Sequence, residues 1–218
     1  NNEYWRIIGV FNEASHGQNG KNMVKIIRDQ HLGSYAWDKT SVNDWSSSSL
    51  NLLLNSAYYN AQDGTSSGYC YGYGRDTITD CDYTRKGLQT NYRNMVANAT
   101  WYLGGYTGTA TPEILYTYER GTTVYDQRPA KTTGYVGLMY ASDYTYSVLA
   151  RDCARTTNIG SYGSSCAGRN WLYQGFEWVL TPSSLYGSLA LRIGVSGGVG
   201  YGDVSDGVYN GYAVRPTL

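Results

Sequence analysis

The side chains in this chain that could carry out chemistry are two histidines, four cysteines and a scatter of carboxylates. Acyl transfer by a Ser–His–acid triad needs a histidine held beside the nucleophile as a base. His16 lies in a predicted turn beside Gly17, and His31 follows Asp29, with which it could pair. The sequence also lacks the motifs of a nucleophile elbow, a phosphate-binding loop, a dinucleotide-binding fold and a zinc protease. We therefore expect neither histidine to be catalytic.

A pair of carboxylates could instead hydrolyse a glycosidic bond, which requires two acids flanking that bond. The candidates by residue type are Asp29, Asp38, Asp44, Glu113, Glu119 and Glu177. Nothing in their spacing brings two of them together. Glu177 lies between two aromatic residues, surroundings that would raise the pKa of its carboxyl. The alternation of that predicted strand nevertheless favours a Glu177 side chain that faces solvent.

The cysteines form two close pairs, Cys70 with Cys81 and Cys153 with Cys166. Each pair brackets a loop rich in small polar residues, a spacing that suits local disulfides in a secreted protein. Among the possible connectivities we favour Cys70–Cys81 and Cys153–Cys166, because these loops close at the least entropic cost. Free buried thiols are the alternative. A zinc site is not expected, because neither pair has the short spacing of zinc-binding cysteines.

A calcium site would need several oxygen ligands. The best local cluster is the segment 203–207 with Asn210 nearby, and Asp76, Asp80 and Asp82 surround the first cysteine pair. We expect no cofactor, with calcium as the alternative.

Tyrosine is the most skewed residue type, with 24 Tyr beside 2 Phe. Tyr suits positions where one end of the ring is buried and the other reaches solvent. Binding surfaces use such rigid amphipathic rings as contacts. Many tyrosines lie among Gly, Ser, Asn and Asp, as in segments 69–74, 142–146 and 201–212. This composition indicates a Tyr-rich recognition surface, and the alternative is that Tyr serves here as a strand former.

Length and charge exclude several classes of protein. A chain of 218 residues without a convincing linker predicts a single domain over residues 1–218. Basic and acidic residues balance at 17 each, without the basic stripe expected of a nucleic-acid-binding protein. The apolar runs are far too short to span a membrane. Because the chain opens without Met, we expect a mature or trimmed product whose targeting segment has been removed, and the cysteine pairs favour an extracellular location.

The elements that must position these side chains are few and short. Strands are predicted at residues 4–11 and 23–28, which form a hairpin, and at 99–103, 135–139, 176–180, 188–193 and 212–215. Apolar residues at helical spacing predict a helix over residues 50–60, with shorter helices at 88–96 and 142–149. Segment 114–118 fits a strand or a single helical turn. The fold class is therefore α+β, with small twisted antiparallel sheets, two or three helices and long loops.

This order of elements resembles C-type-lectin-like domains of the broad group that includes formylglycine-generating-enzyme-like folds. The W-R-I-I-G run at 5–9, the S-S-L helix start at 48–50 and W-V-L-T-P at 178–182 are similar to motifs of surface and pilin-like proteins of Gram-positive bacteria. A closing V-R-P follows at 214–216, with Ala213 where the family pattern has Gly. The resemblance spans nearly the whole chain and implies a fold and a bacterial cell-surface location, whereas activity must be argued from a site.

The resemblance also implies a ligand-binding face. Some members of this fold group are targets of diversity-generating retroelements, which vary residues on the last strands and loops. The matching region of this chain carries Tyr186, Arg192, Tyr201, Asp203, Ser205, Asp206, Tyr209, Asn210 and Tyr212. The calcium-binding motifs of C-type lectins and the active-cysteine pattern of formylglycine-generating enzymes are missing from the sequence.

Together these patterns predict a non-enzymatic extracellular domain that binds a ligand or mediates adhesion, with a protein or glycan at the cell surface as its partner. The first alternative is the globular head of a pilin-like structural subunit, which would self-assemble. The second alternative is an enzyme that acts on glycans.

Overall fold

The chain is described here from a computed structural model, which covers residues 3–12, 21–203 and 212–218. Strands and helices are short and are joined by long loops, as the sequence predicts. The strands are β1 (Trp5–Phe11), β2 (Met23–Arg28), β3 (Gly33–Ser34), β4 (Ala99–Tyr102), β5 (Lys131–Gly134), β6 (Glu177–Pro182), β7 (Leu189–Ile193), β8 (Val199–Asp203) and β9 (Ala213–Val214). The α-helices are α1 (Ser49–Leu53), α2 (Thr90–Arg93), α3 (Pro112–Glu119), α4 (Ala141–Tyr146) and α5 (Ser164–Ala167).

The largest sheet has five strands in the order β3-β9-β6-β7-β8. Its pairs are antiparallel except for β6 with β9, which run parallel and so depart from the purely antiparallel sheets predicted. All six residues of β6 are buried. This sheet is therefore covered on both faces, and its central strand has no solvent-facing side.

The two faces of this sheet carry two hydrophobic cores, and successive residues of β6 alternate between them. Trp178 and Leu180 enter the first core with the apolar side of α1, whereas Val179 enters the second with α4. Each core also contains one disulfide. Cys70–Cys81 lies in the first core and Cys153–Cys166 in the second, with Cα–Cα separations of 6.0 and 5.4 Å. The predicted connectivity is confirmed.

The predicted N-terminal hairpin is also confirmed, with β1 antiparallel to β2. The other edge of β2 is not free. Residues 216–218 run antiparallel along it, and the backbone amides of Ile26 and Leu218 each donate to the carbonyl of the other. Consequently β2 lies between β1 and the last residues of the chain.

The helix predicted from residue 50 is present and begins at Ser49, where Ser48 caps it by accepting a hydrogen bond from the Asn51 amide. It continues through residues 54–58 as a wider π-helical turn. Segment 114–118 proves to be helical and lies within α3, which has Pro112 in its first turn and Thr111 as its cap. Both starts follow the usual preference of Ser, Thr and Pro for helix N-termini.

The strand predicted at residues 135–139 is wrong, because β5 ends before it. Asn55 provides the reason: its side-chain oxygen accepts from the amides of Tyr135 and Val136 at 3.0 and 3.1 Å, and its amide donates to the Val136 carbonyl at 2.8 Å. A side chain thus satisfies backbone groups that a neighbouring strand would otherwise pair. No strand was predicted where β8 lies, in a Gly-rich segment between the predicted strands at 188–193 and 212–215.

Candidate functional site

The predicted C-terminal face is partly assembled at the end of the five-stranded sheet. Tyr186 is 53% exposed, and its ring meets Tyr201 edge-on with centroids 5.7 Å apart. On its other side Tyr201 contacts the buried Tyr106, at 5.4 Å. Burial raises the pKa of both the Tyr201 and Tyr106 phenols. We call Tyr106, Tyr186 and Tyr201 the tyrosine cluster.

Two other residues of the predicted face lie on the opposite side of the sheet. Tyr201 pairs with Leu191, so Arg192, the next residue of β7, points to the other face. There the Arg192 guanidinium lies 4.5 Å from the Phe176 ring centroid and 5.3 Å from that of Tyr212. Tyr212 is buried and stacks on Phe176. Tyr212 is therefore a core residue, contrary to the expectation that it would be exposed.

The remaining residues of the predicted face contribute no described side chain. Asp203 ends β8, and only its backbone is described. Ser205, Asp206, Tyr209 and Asn210 lie outside the described residues, as does most of the predicted calcium cluster at 203–207. Among the residues that the structure does describe, no group of three or more His, Cys, Asp or Glu side chains is placed to hold a metal ion.

The loop that presents Tyr186 is held from beneath by Asn43. The buried Asn43 amide donates to the carbonyls of Ser183, Tyr186 and Leu189 at 2.8, 2.9 and 2.7 Å. The Asn43 backbone amide also donates to the Gly187 carbonyl at 2.9 Å. One side chain, distant in sequence, thus fixes the conformation of the whole 183–189 turn.

The candidate carboxylates are mostly engaged in structural contacts. Asp38 and Asp44 accept from nearby amides and hydroxyls in turns, Asp29 pairs with Arg6, and Glu113 lies exposed in the first turn of α3. Glu119 is fully buried, where it accepts from Thr181 Oγ1 at 2.6 Å and from the Ser142 amide at 3.1 Å. None of these contacts places two of the acids on either side of a cleft.

Glu177 does not face solvent, so that expectation is wrong. It is buried together with Arg215, whose Nε and Nη2 donate to the two carboxylate oxygens, each at 2.7 Å. Arg215 is the central residue of the closing V-R-P run at 214–216. Because Arg215 follows β9 and Glu177 begins β6, the pair joins the two parallel strands.

A large concave surface of the described residues is an apolar groove that the sequence did not reveal. Its volume is about 700 Å³, within the range typical of ligand sites. One wall comes from β2 and the residues before β1, the other from the segment around α2, and Trp101 lies at its base. The lining comprises Glu3, Tyr4, Trp5, Met23, Val24, Lys25, Ile26, Gly87, Leu88, Gln89, Tyr92, Met95, Val96, Ala97, Ala99, Trp101 and Leu218.

The rims of this groove expose large apolar side chains on both walls. Tyr4 and Met95 are 76% and 80% exposed, and Val24 and Tyr92 are about half exposed. The charged lining residues already have partners, since Glu3 pairs with Arg28 and Lys25 with Asp143. Because both edges of β2 are paired, a ligand here would be held by its side chains and not as an added strand.

No family model, curated protein or solved structure matches this chain. In the described ranges, no helix is long and apolar enough to cross a membrane. The described residues form a mixed α+β fold with small sheets, few helices and two disulfides. Any function must therefore be argued from the surfaces of the molecule itself.

Proposed function

We propose that this chain is an extracellular, C-type-lectin-like domain that binds a protein partner without catalysis. The observation that carries the proposal is the apolar groove, whose rims expose Tyr4, Val24, Tyr92 and Met95 to solvent. Exposed apolar surface of this extent on both sides of a concavity is typical of interaction sites. The two disulfides support the location, because such bridges persist in oxidising compartments.

The exposed apolar rims of the groove favour a protein partner over a small molecule or a glycan. A small ligand confined to the groove would leave the tips of Met95 and Tyr4 in water, whereas a protein surface would cover them. A glycan needs several hydrogen-bonding groups, whereas most of this lining is apolar. Met and Tyr are also residues that protein interfaces favour, because Met adapts its shape and Tyr is rigid.

We expect Met95→Asp to weaken partner binding at least about tenfold, or ~1.4 kcal/mol, since it places a charge on the apolar rim. The measurement uses peptides selected against the wild-type domain from a phage-displayed random library, with affinities from fluorescence polarisation. The selected peptides should be rich in aromatic and aliphatic residues. Met95 is exposed, so thermal stability should change little.

The matched control is Val195→Asp, because Val195 is exposed and apolar but lies outside the groove lining. That variant should bind the selected peptides like the wild type. Equal affinities for Met95→Asp and Val195→Asp would refute the groove as the binding site. Concentration-dependent dimerisation that Met95→Asp abolishes would instead favour the pilin-like alternative, with a second copy of the chain as the occupant.

A second candidate surface is the tyrosine cluster, which would bind a glycan. It is favoured by the half-exposed Tyr186 ring, which Tyr201 supports and the Asn43 side chain positions. The half-buried Ser184 hydroxyl lies in the same turn and donates to the Tyr106 carbonyl, while the buried Ser183 hydroxyl accepts from the Leu185 and Tyr186 amides and so shapes the turn. Rigid aromatic rings beside small polar side chains are a combination that recognition surfaces use.

For this second surface, Tyr186→Ala should reduce retention on a glycan array by roughly 1–2 kcal/mol of binding energy, the scale of an interface anchor. Tyr92→Ala is the control, because Tyr92 is equally exposed but lies on the groove. A glycan signal lost in Tyr92→Ala and kept in Tyr186→Ala would assign the recognition to the groove.

A further inference from the structure

A lysine and an aspartate form an ion pair inside the protein, between the N-terminal hairpin and α4. Lys25 Nζ donates to Asp143 Oδ2, and both side chains are 4% exposed. Lys25 lies on the buried side of β2 with Ile27. Asp143 belongs to the first turn of α4, 118 residues later in the chain. Moving two charges out of water costs free energy that an ion pair recovers only when its geometry is excellent. We therefore asked what this buried pair could do.

Aromatic rings surround the amino group. The Lys25 nitrogen lies 4.3 Å from the ring centroid of Tyr140 and 5.5 Å from those of Phe11 and Trp101. These rings, together with the 4% exposure of both side chains, limit the access of water to the contact between the amine and the carboxyl group. A dry site favours condensation over hydrolysis, because water is the product of amide formation and the reactant in its reversal.

The Asp143 carboxyl group is held in one orientation. The Tyr140 backbone amide donates to Asp143 Oδ2 at 2.8 Å, the same oxygen that Lys25 contacts. This hydrogen bond also polarises the carboxyl group, as oxyanion-stabilising amides do in acyl transfer. The carboxyl carbon is thereby prepared for attack by a nearby nucleophile, and the Lys25 nitrogen is the group in contact.

Burial disfavours the charged form of the Lys25 amine. Burial lowers the pKa of Lys25, and the Arg120 guanidinium lowers it further, while Asp143 and Glu119 act in the opposite direction. Glu119 is itself buried, which raises the pKa of its carboxyl and reduces the negative charge that it brings to the site. Transfer of one proton from Lys25 to Asp143 then yields a neutral amine and a neutral acid.

We propose that Lys25 and Asp143 condense to an intramolecular amide that covalently joins β2 to α4. The Lys25 Nζ lone pair attacks the Asp143 carboxyl carbon, a C–N bond forms, and the C–O bond to the departing hydroxyl breaks. That hydroxyl leaves with a proton from the nitrogen as one molecule of water. No atom changes oxidation state and no further reactant is needed.

The test is the mass of the intact, full-length chain after its disulfides have been reduced under denaturing conditions. We expect the main species to be lighter than the sequence mass by one water molecule. Trypsin should then yield a branched peptide in which residues 22–28, uncut at Lys25, are linked to residues 132–151. Lys25→Met should restore the full sequence mass, since a thioether fills the aromatic surroundings but cannot condense.

The matched control is the exposed pair of Lys86 and Asp80, which has the same residue types and also lies beside a tyrosine ring. Lys86→Met should therefore retain the loss of water. A wild-type chain at its full sequence mass would overturn the proposal, whether or not Lys25→Met folds. So would a loss of water found only in the linear peptide 132–151, which would indicate a cyclic imide.

Discussion

Arg215→Met is expected to lower the free energy of unfolding by about 3–5 kcal/mol, because it leaves Glu177 buried without its countercharge. Arg215 makes two hydrogen bonds to the Glu177 carboxylate and a third, at 2.6 Å, to the Leu172 carbonyl. Both side chains are inaccessible to solvent, so water cannot replace what is lost. Denaturation by guanidinium, followed by tyrosine and tryptophan fluorescence, measures the change.

The control for this prediction is Lys86→Met, which breaks an exposed ion pair with Asp80. Exposed pairs contribute about 0–1 kcal/mol, so this variant should unfold almost like the wild type. A cost below about 1 kcal/mol for Arg215→Met would contradict the assignment of a tightly paired, dry contact. The double variant Arg215→Met with Glu177→Gln should recover part of the loss, since no uncompensated charge then remains inside.

Asn43→Ala is expected to cost about 2–3 kcal/mol, because three carbonyl oxygens lose their shared donor in a buried place. The effect should be concentrated in the turn at 183–189, which the Asn43 side chain holds together. Hydrogen exchange should show faster opening of the amides of Leu185 and Tyr186 than in the wild type. The same loosening would displace the exposed ring of the tyrosine cluster.

Asn60→Ala provides the comparison, since the partly exposed Asn60 side chain donates to the Ser56 carbonyl and accepts from Arg93 Nη1, both of which keep access to solvent. Its stability should stay within about 0.5 kcal/mol of the wild type. If Asn43→Ala matched Asn60→Ala in both stability and exchange, the turn would owe its shape to its own sequence. The role assigned to Asn43 would then be wrong.

Features set by residues close in sequence could be predicted. The β1–β2 hairpin joins consecutive strands, and the two disulfides join cysteines that are 11 and 13 residues apart. The spacing of the apolar residues and of the cysteines was therefore enough to predict them. The start of α1 was equally visible from its serine cap. In each case the local choice and the final fold agree, which is typical of natural sequences.

The meaning of the tyrosine excess could not be read from composition. Many of these rings are buried, and their hydroxyls donate to loop carbonyls, as Tyr35 does to Asp80 at 2.8 Å and Tyr144 to Gly197 at 2.9 Å. Burial also raises the pKa of Tyr162 to about 12. Phenylalanine could fill the same volume but could not make these bonds. The phenols therefore anchor long loops to the two cores, a use of Tyr that no local pattern indicates.

The apolar groove and the buried charges were missed for a related reason. The groove arises where β2 approaches α2, and Lys25 meets Asp143 across most of the chain. Alternation along a strand shows which side chains share a face, but it does not identify the group opposite that face. The available signal for a buried ion pair was Lys25, which lies between apolar residues of β2. A lysine that is buried in such surroundings almost always has a partner of opposite charge.

The position of β2 between β1 and residues 216–218 determines how the domain would respond to tension. Both flanking segments run antiparallel to β2, so Trp5 and Pro216 lie near Arg28 while Leu218 lies near Ile26. Opposite pulls on residues 5 and 218 would therefore act along the strands and across their hydrogen bonds. Those bonds would be loaded together in shear and would not open one by one, so the domain, stretched between residues 5 and 218, would resist mechanical force through these three paired segments.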